Sequence, residues 1–600
     1  MRKSLQTASS LLLIAATALS ACGAPAATTA PEATQAPEAT QASEATQAPE
    51  ATVGTEATTA PEAPAVSDVV LKVTAAGAGQ ATWIRNFNPF SNNLLFPTQN
   101  GMYEPLMINN RIKGELVPWL ATEYAWSEDL LTLTFTIREG VLWSDGEPLT
   151  AGDVAFTFNY LKEKPGLAGY GLVAVAEGGY IDAITAPDDT HVDFTFNRVY
   201  TPGFYDLIAQ NIVPEHIWAE VADPVTFTND DPVASGPFTE VVNFQDQVYQ
   251  VDRNPNYWQP GKPEIQGLSM PIFATNDVAA TMFVNGDTEW TGQFFPNVDE
   301  AVIAQNPDDL NCWWPAVTSD GFFIMNGTKQ PWDDPIVRKA VSMSFDREQL
   351  ILVAFQGKTT AADITGLSSG YAAWKVEDLS TLGDNWATLD VEKANQMLDE
   401  AGYTKGADGI RLNKDGTPIA AELLMVNGFS DWLAIAPIVK KSLESLGFQI
   451  TINNYDPGVT FGKWFVGDFD VSLYFGVDAD TPYTYYRNLM SAETFKPIGE
   501  ETGFGQNIWR IVVPEADEQL EIFASTGDPA VQKEAAQELQ RIFAENAPVL
   551  PLWHAPTFYC YNDSRVDGWA SEENPFVRAM PIAINSTGEQ ILQMIAWTAK

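Results

Sequence analysis

The chain is 600 residues long, 45% hydrophobic and 11% aromatic, and sets 33 basic against 78 acidic side chains for a formal net charge of −45. So much apolar material over such a length calls for two or three packed lobes rather than one core. The charge excludes a nucleic-acid partner and sets the body against anionic lipid headgroups.

Met1-Arg2-Lys3 is a short cationic start, and Leu11 to Ala16 is an apolar run too short to cross a hydrocarbon core of about 30 Å. Residues 1–21 therefore read as an export signal. The segment that ends it, Leu19-Ser20-Ala21-Cys22, resembles the bacterial lipobox. That resemblance implies cleavage before Cys22, lipidation of Cys22, and an acyl anchor at the outer face of the cytoplasmic membrane in place of a spanning helix. Residues 22–67 repeat PEATQA at Pro31 and Pro37, SEATQA at Ser43 and PEATVG at Pro49, without an aromatic side chain between Ala24 and Ala65. Regular Pro and Glu with little to bury make this stretch an extended, disordered tether.

The body alternates strand and helix signals. Leu131 to Ile137 alternates with period two and reads as a strand with one buried face. Thr150 then caps a helix, with Asp153 completing a capping-box pair and Val154, Phe158 and Leu161 on the buried side. Val192 to Phe196 alternates again. Farther on, Val391, Ala394, Met397, Leu398 and Ala401 form a helical stripe between an Asp390 cap and a Gly402 stop. A second amphipathic helix carries Trp432, Ile435, Val439, Leu443 and Leu446, followed by a strand from Phe448 to Ile452. Val531, Ala535, Leu539 and Phe543 mark a last helix, leading into Val549-Leu550-Pro551-Leu552. This alternation predicts an α/β fold with helices packed on sheets. Asp-Gly in Trp143–Pro148 and in Asn413–Gly416 predicts two tight turns, and Ser235-Gly236-Pro237 a third.

Several stretches, in combination and in order, resemble the extracytoplasmic solute-binding proteins of ABC importers, in the peptide/nickel/opine-type group known as family 5. They are NFNPF from Asn86, YEPL from Tyr103, PWLATEY from Pro118, LTFTIREGVLWSDGEPLTAGDVAFTF from Leu133, VPEHIW from Val213, SGPF from Ser235, NPNYW from Asn254, VRKAVSMSFDR from Val337, LDEAGY from Leu398 and LESLGFQI from Leu443. The resemblance implies a bilobed body of the periplasmic-binding-protein kind (type II, cluster C-like) with an extra inserted domain. Carried over, lobe I takes residues 68–105, 206–317 and 551–600, the inserted domain 106–205, and lobe II 318–550. Two chain crossings, near Cys312–Asp320 and Pro548–Trp553, then form a hinge that closes on a ligand.

Peptide-binding members of that group hold the peptide's ammonium with an Asp in a loop after a lobe II strand. The matching stretch, Asp470 to Tyr483, nominates Asp478 and Asp480. The run Thr481-Pro482-Tyr483-Thr484-Tyr485-Tyr486-Arg487 departs from the Pro-Asp-Pro type expected of a peptide binder, and TPYTYYRNLM looks more like oligosaccharide-binding members, as does the aromatic opening Thr82 to Phe90. Sugars are held by aromatic faces against C–H groups and by amides and carboxylates on hydroxyls. Among 18 Trp, that chemistry nominates Trp83, Trp290 with Gln293, and Trp432. The expected ligand is an oligosaccharide or an oligopeptide, the expected partner a set of ABC permease subunits, and the body a monomer with no cofactor.

Cys312 and Cys560 remain after Cys22 and form either one disulfide or two buried thiols, a choice that spacing does not make. The three His, His191, His216 and His554, have no metal-ligand spacing. The competing reading is a secreted lipoprotein hydrolase acting on glycosides or esters, for which Gly366-Leu367-Ser368-Ser369-Gly370 supplies a G-x-S-x-G pattern. Its upstream context, Thr359 to Thr365, is not the apolar strand a nucleophile elbow requires.

Overall fold

The alternation over Leu131–Ile137 becomes the strand Thr132–Ile137, with Leu133, Phe135 and Ile137 buried. Thr150 and Asp153 form the capping box of the helix Ala151–Glu163, Asp153 Oδ2 accepting from Thr150 N at 2.9 Å and Thr150 Oγ1 accepting from Gly152 N at 3.2 Å. Asp390 likewise caps Val391–Glu400. The computed structural model describes residues 66–75, 82–164, 166–317, 319–503, 505–582 and 588–600. The signal segment, Cys22 and the tether as far as residue 65 lie outside the described residues. Among the latter, no helix is long and apolar enough to cross a membrane.

The chain folds into two lobes, each built on a mixed sheet. One sheet has seven strands in the order Leu310–Cys312, Cys560–Asn562, Trp290–Thr291, Val70–Thr74, Gly267–Pro271, Val248–Arg253 and Phe238–Gln245. Residues 121–196 add a four-stranded antiparallel sheet beside it, ordered Ala121–Trp126, Thr132–Ile137, His191–Phe196 and Ile181–Thr185. Its core is continuous with that of the seven-stranded sheet. The second lobe carries five strands in the order Gln449–Tyr455, Ala420–Val426, Val471–Phe475, Ser319–Met325 and Leu550–Ala555. Its core is a separate cluster, filled from the helices Ser430–Ser445 and Pro529–Asn546 among others.

Ser319–Met325 leads the chain into the second lobe and Leu550–Ala555 leads it out. The two strands pair antiparallel, Asp320 opposite His554, so entry and exit lie side by side. The pairing of Leu550–Ala555 with Ser319–Met325 runs from Leu550 through Ala555. The connecting segments are also tied to each other, Trp313 N donating to Tyr559 O at 2.9 Å and Thr557 N to Pro315 O at 2.7 Å. Just beyond them Cys312 and Cys560 face one another across adjacent strands, Cα–Cα 4.0 Å, and are joined in a disulfide. Of the two options left open by spacing, the structure takes the bridge.

Candidate ligand site between the lobes

The central strand of the second lobe, Val471–Phe475, is buried at all five positions. It ends in Gly476, where a Cβ would come within 2.1 Å of Asp320 O, so a side chain there would push the neighbouring backbone away. The chain then loops through Asp478 and Asp480 to Thr481, which caps the helix Pro482–Met490 by accepting from Thr484 N. Two carboxylates are thereby placed between a strand's carboxyl end and a helix start, on the wall of a cavity of about 300 Å³. Trp432, Trp553 and Asp320 come from the same lobe; Arg111, Tyr170 and Asp206 face them from the segment following Tyr103, and Arg578 and Gln590 from the C-terminal stretch.

Arg111 sits at the turn of the hairpin Met107–Asn110 with Glu115–Pro118 and reaches across the gap. Its Nη1 lies 2.5 Å from Asp478 Oδ1, and its Nη2 and Nε lie 2.8 and 3.1 Å from Asp480 Oδ1. Asn109 Nδ2 donates to the same Asp480 oxygen at 2.8 Å. Arg578 extends the cluster, with Nη1 3.4 Å from Asp478 Oδ2 and Nη2 2.6 Å from Glu589 Oε2. Glu589 Oε1 in turn accepts from Arg111 N at 3.1 Å. Burial disfavours the Arg111 charge, but Asp478, Asp480 and Glu589 outweigh it and hold the guanidinium more firmly protonated than in water.

The other two carboxylates of the lining are also engaged. Asp206 accepts from Tyr180 Oη at 2.8 Å, and burial pushes its carboxyl up to about 7. Asp320 is fully buried and pairs with His554 Nδ1 at 2.6 Å; burial raises its pKa against the pull of that imidazole. By contrast, Trp432 and Trp553 bring indole N–H groups that are buried and have no hydrogen-bond partner among the described residues. The Trp553 ring lies directly on Gly321, where a Cβ would meet its Cε2 at 2.1 Å.

Of the side chains nominated from sequence, Asp478, Asp480 and Trp432 line this cavity together. Trp83, Trp290 and Gln293 do not. Trp83 donates to Met270 O at 3.0 Å and packs edge-on against Tyr249 inside the seven-stranded lobe. Trp290 pairs with Val73 in the sheet, donates to Ala579 O at 2.7 Å, and is enclosed by Phe96 and Trp597. Gln293 donates to Ala75 O at 2.9 Å and is buried. Trp290 and Gln293 are core groups because their backbones belong to, or directly follow, an inner strand of the sheet, and Trp83 because its indole packs into the same core. Arg111, Arg578, Asp206 and Trp553 were missed: none has a local motif, and Arg111 is 367 residues from Asp478.

Ser368 of the G-x-S-x-G pattern is buried and donates to Val317 O at 2.5 Å, in a loop that leads only to the short turn Ser369–Tyr371. His191, His216 and His554 each pair with a different carboxylate, Asp188, Asp145 and Asp320.

Known proteins share this architecture. Protein XP55 of Streptomyces lividans is 28% identical over 471 residues, 76% of this chain and 79% of that protein. The oligopeptide-binding protein OppA of Bacillus subtilis is 23% identical over 477 residues, 77% of this chain and 82% of its own. Among solved structures, the mannohexaose-bound periplasmic oligopeptide-binding protein of an ABC transporter from Thermotoga maritima superposes with a TM-score of 0.75 at 23% identity, covering 89% of this chain and 99% of that one. The family described as bacterial extracellular solute-binding proteins, family 5 Middle, matches residues 115–496. A match over more than half its length makes the chain a member of the bacterial extracellular solute-binding proteins, family 5.

Proposed function

We propose that the protein is the substrate-binding lipoprotein of an ABC importer, capturing an oligosaccharide or oligopeptide between its lobes and handing it to the membrane permease unchanged. The observation that carries this reading is the interlobe cavity, whose walls come from both lobes and from the C-terminal stretch, so that a ligand there contacts both halves at once. Contacts made only in the closed form shift the population toward it, and the permease reads that form. In this reading lobe I comprises 68–105, 206–317 and 551–600, the inserted domain 106–205, and lobe II 318–550; the paired crossings are the hinge. Export and acylation of Cys22 hold the monomeric body outside the cytoplasmic membrane on its tether.

A thermal-shift screen against di- to hexapeptides and α- and β-linked oligosaccharides tests the binding role. At least one class raises Tm by several degrees, as expected when a ligand binds only the folded state, and mass spectrometry recovers it intact. Turnover of the ligand, or indifference to both libraries, would refute the reading. Cys22→Ser is expected to move the protein from the membrane to the soluble extracytoplasmic fraction.

A further inference from the structure

We propose that Arg111 determines specificity at this site, by occupying Asp478 and Asp480 of the second lobe and so restricting the ligand to an uncharged oligosaccharide. This rests on the reading of the cavity as the ligand site. Asp478 and Asp480 are the lining's natural partners for a cationic ligand group, yet both are held by one guanidinium whose side chain is only 8% exposed. An incoming ammonium competes with Arg111 for these carboxylates, and displacing it leaves a buried guanidinium without its partners, which is strongly unfavourable. Arg578 does not relieve this, because its strongest contact is with Glu589, itself 2% exposed.

The remaining charges on the wall are closed in the same way. Asp206 is bonded to Tyr180 and Asp320 to His554, so all four lining aspartates have protein partners. Unspent hydrogen-bonding capacity lies instead with neutral groups. Trp432 and Trp553 line the cavity, and their buried indole N–H groups have no acceptor among the described residues. Ser319, Thr484 and Asn488 add hydroxyl and amide groups to the lining. An apolar aromatic wall with a few neutral donors suits a sugar's C–H face and hydroxyls, whereas each lining aspartate that a zwitterion would meet is already paired.

The test is calorimetry on the full-length protein with three probes: manno-, cello- and xylo-oligosaccharides of two to six units, tetra-alanine with a free ammonium, and N-acetyl-tetra-alanine. The expected result is binding of at least one neutral oligosaccharide, with free tetra-alanine at least tenfold weaker than its acetylated form or not bound. In Arg111→Gln, free tetra-alanine gains at least tenfold, because Asp478 and Asp480 are then open to its ammonium. Wild-type protein that binds free tetra-alanine as tightly as the acetylated form, or binds peptides and no oligosaccharide, overturns the inference and leaves the importer reading standing. No heat with any probe, joined to a flat thermal-shift screen, overturns both. Should Arg111→Gln fail to fold, the free-versus-acetylated comparison on the wild-type protein decides alone.

Discussion

Glu104 illustrates what a single buried carboxyl does to the protein's pH response. Its Oε1 accepts from Trp119 Nε1 at 2.8 Å, Tyr257 Oη at 3.2 Å and Trp258 Nε1 at 3.3 Å. Burial outweighs those donors and raises the carboxyl from 4.5 to about 7. The folded state therefore holds a proton that the unfolded chain releases. Stability is full below the unfolded value and is lost as pH climbs through the folded one, by roughly 3 kcal/mol at about 1.4 kcal/mol per unit. Glu104→Gln keeps an acceptor for the three donors and cannot ionise. Thermal melts from pH 4 to 8 are expected to show the variant matching wild type at pH 4 and exceeding it at pH 8; a difference independent of pH would contradict the assignment.

At the scale of elements, the helix Ala151–Glu163 shows how a cap serves both local and tertiary structure. Thr150 supplies one bond to the first turn, but Asp153 supplies two functions: it closes the capping box and accepts from Glu215 N at 2.9 Å through its other oxygen. Thr150→Ala is expected to cost about 1 kcal/mol, the usual loss of an N-cap. Asp153→Ala is expected to cost more, since the Glu215 amide loses its acceptor in a part-buried place. Denaturant unfolding of the two variants checks the order, which a purely local cap would not produce. Two arginines of the VRKAVSMSFDR block play a comparable tertiary part. Arg338 donates to Ala547 O at 2.8 Å and Arg347 to Pro551 O at 2.9 Å, pinning their helices to the return segment of the second lobe.

Over the whole molecule, one linkage braces the two crossings within the seven-stranded lobe and another spans the lobes. One is covalent: the Cys312–Cys560 bridge closes 248 residues of sequence and fastens the crossings where they join the seven-stranded sheet. Reduction, or a double Cys→Ser variant, is expected to lower stability by about 2–5 kcal/mol, seen as a lower Tm, with the effect absent in reduced wild type compared with the variant. The other linkage is non-covalent and flanks the cavity. Arg111 makes its ionic contacts on one side, while Thr201 N donates to Ala524 O at 2.9 Å and Gln532 Nε2 to Thr201 Oγ1 at 3.1 Å on the other. Both contacts reach the second lobe from the segment between residues 106 and 205.

Local signals decided the elements, and they were legible because they act within a few residues. Alternation placed Leu133, Phe135 and Ile137 on one face, Asp390 capped its helix, and the Asp-Gly of Asp145-Gly146 turned the chain with φ +96° at Gly146. The ordered family motifs carried the two-lobed architecture as well. The site was legible only where it follows a motif in sequence, at Asp478 and Asp480, and where a helix stripe happens to meet the cavity, at Trp432. Tertiary structure alone decided the rest, because a tryptophan's letter is the same in a core and in a cleft: strand pairing drew Trp290 inward, while Trp553 reached the cavity across Gly321. It alone supplied Arg111 as well, since the charge that an aspartate meets depends on distance in space and not along the chain.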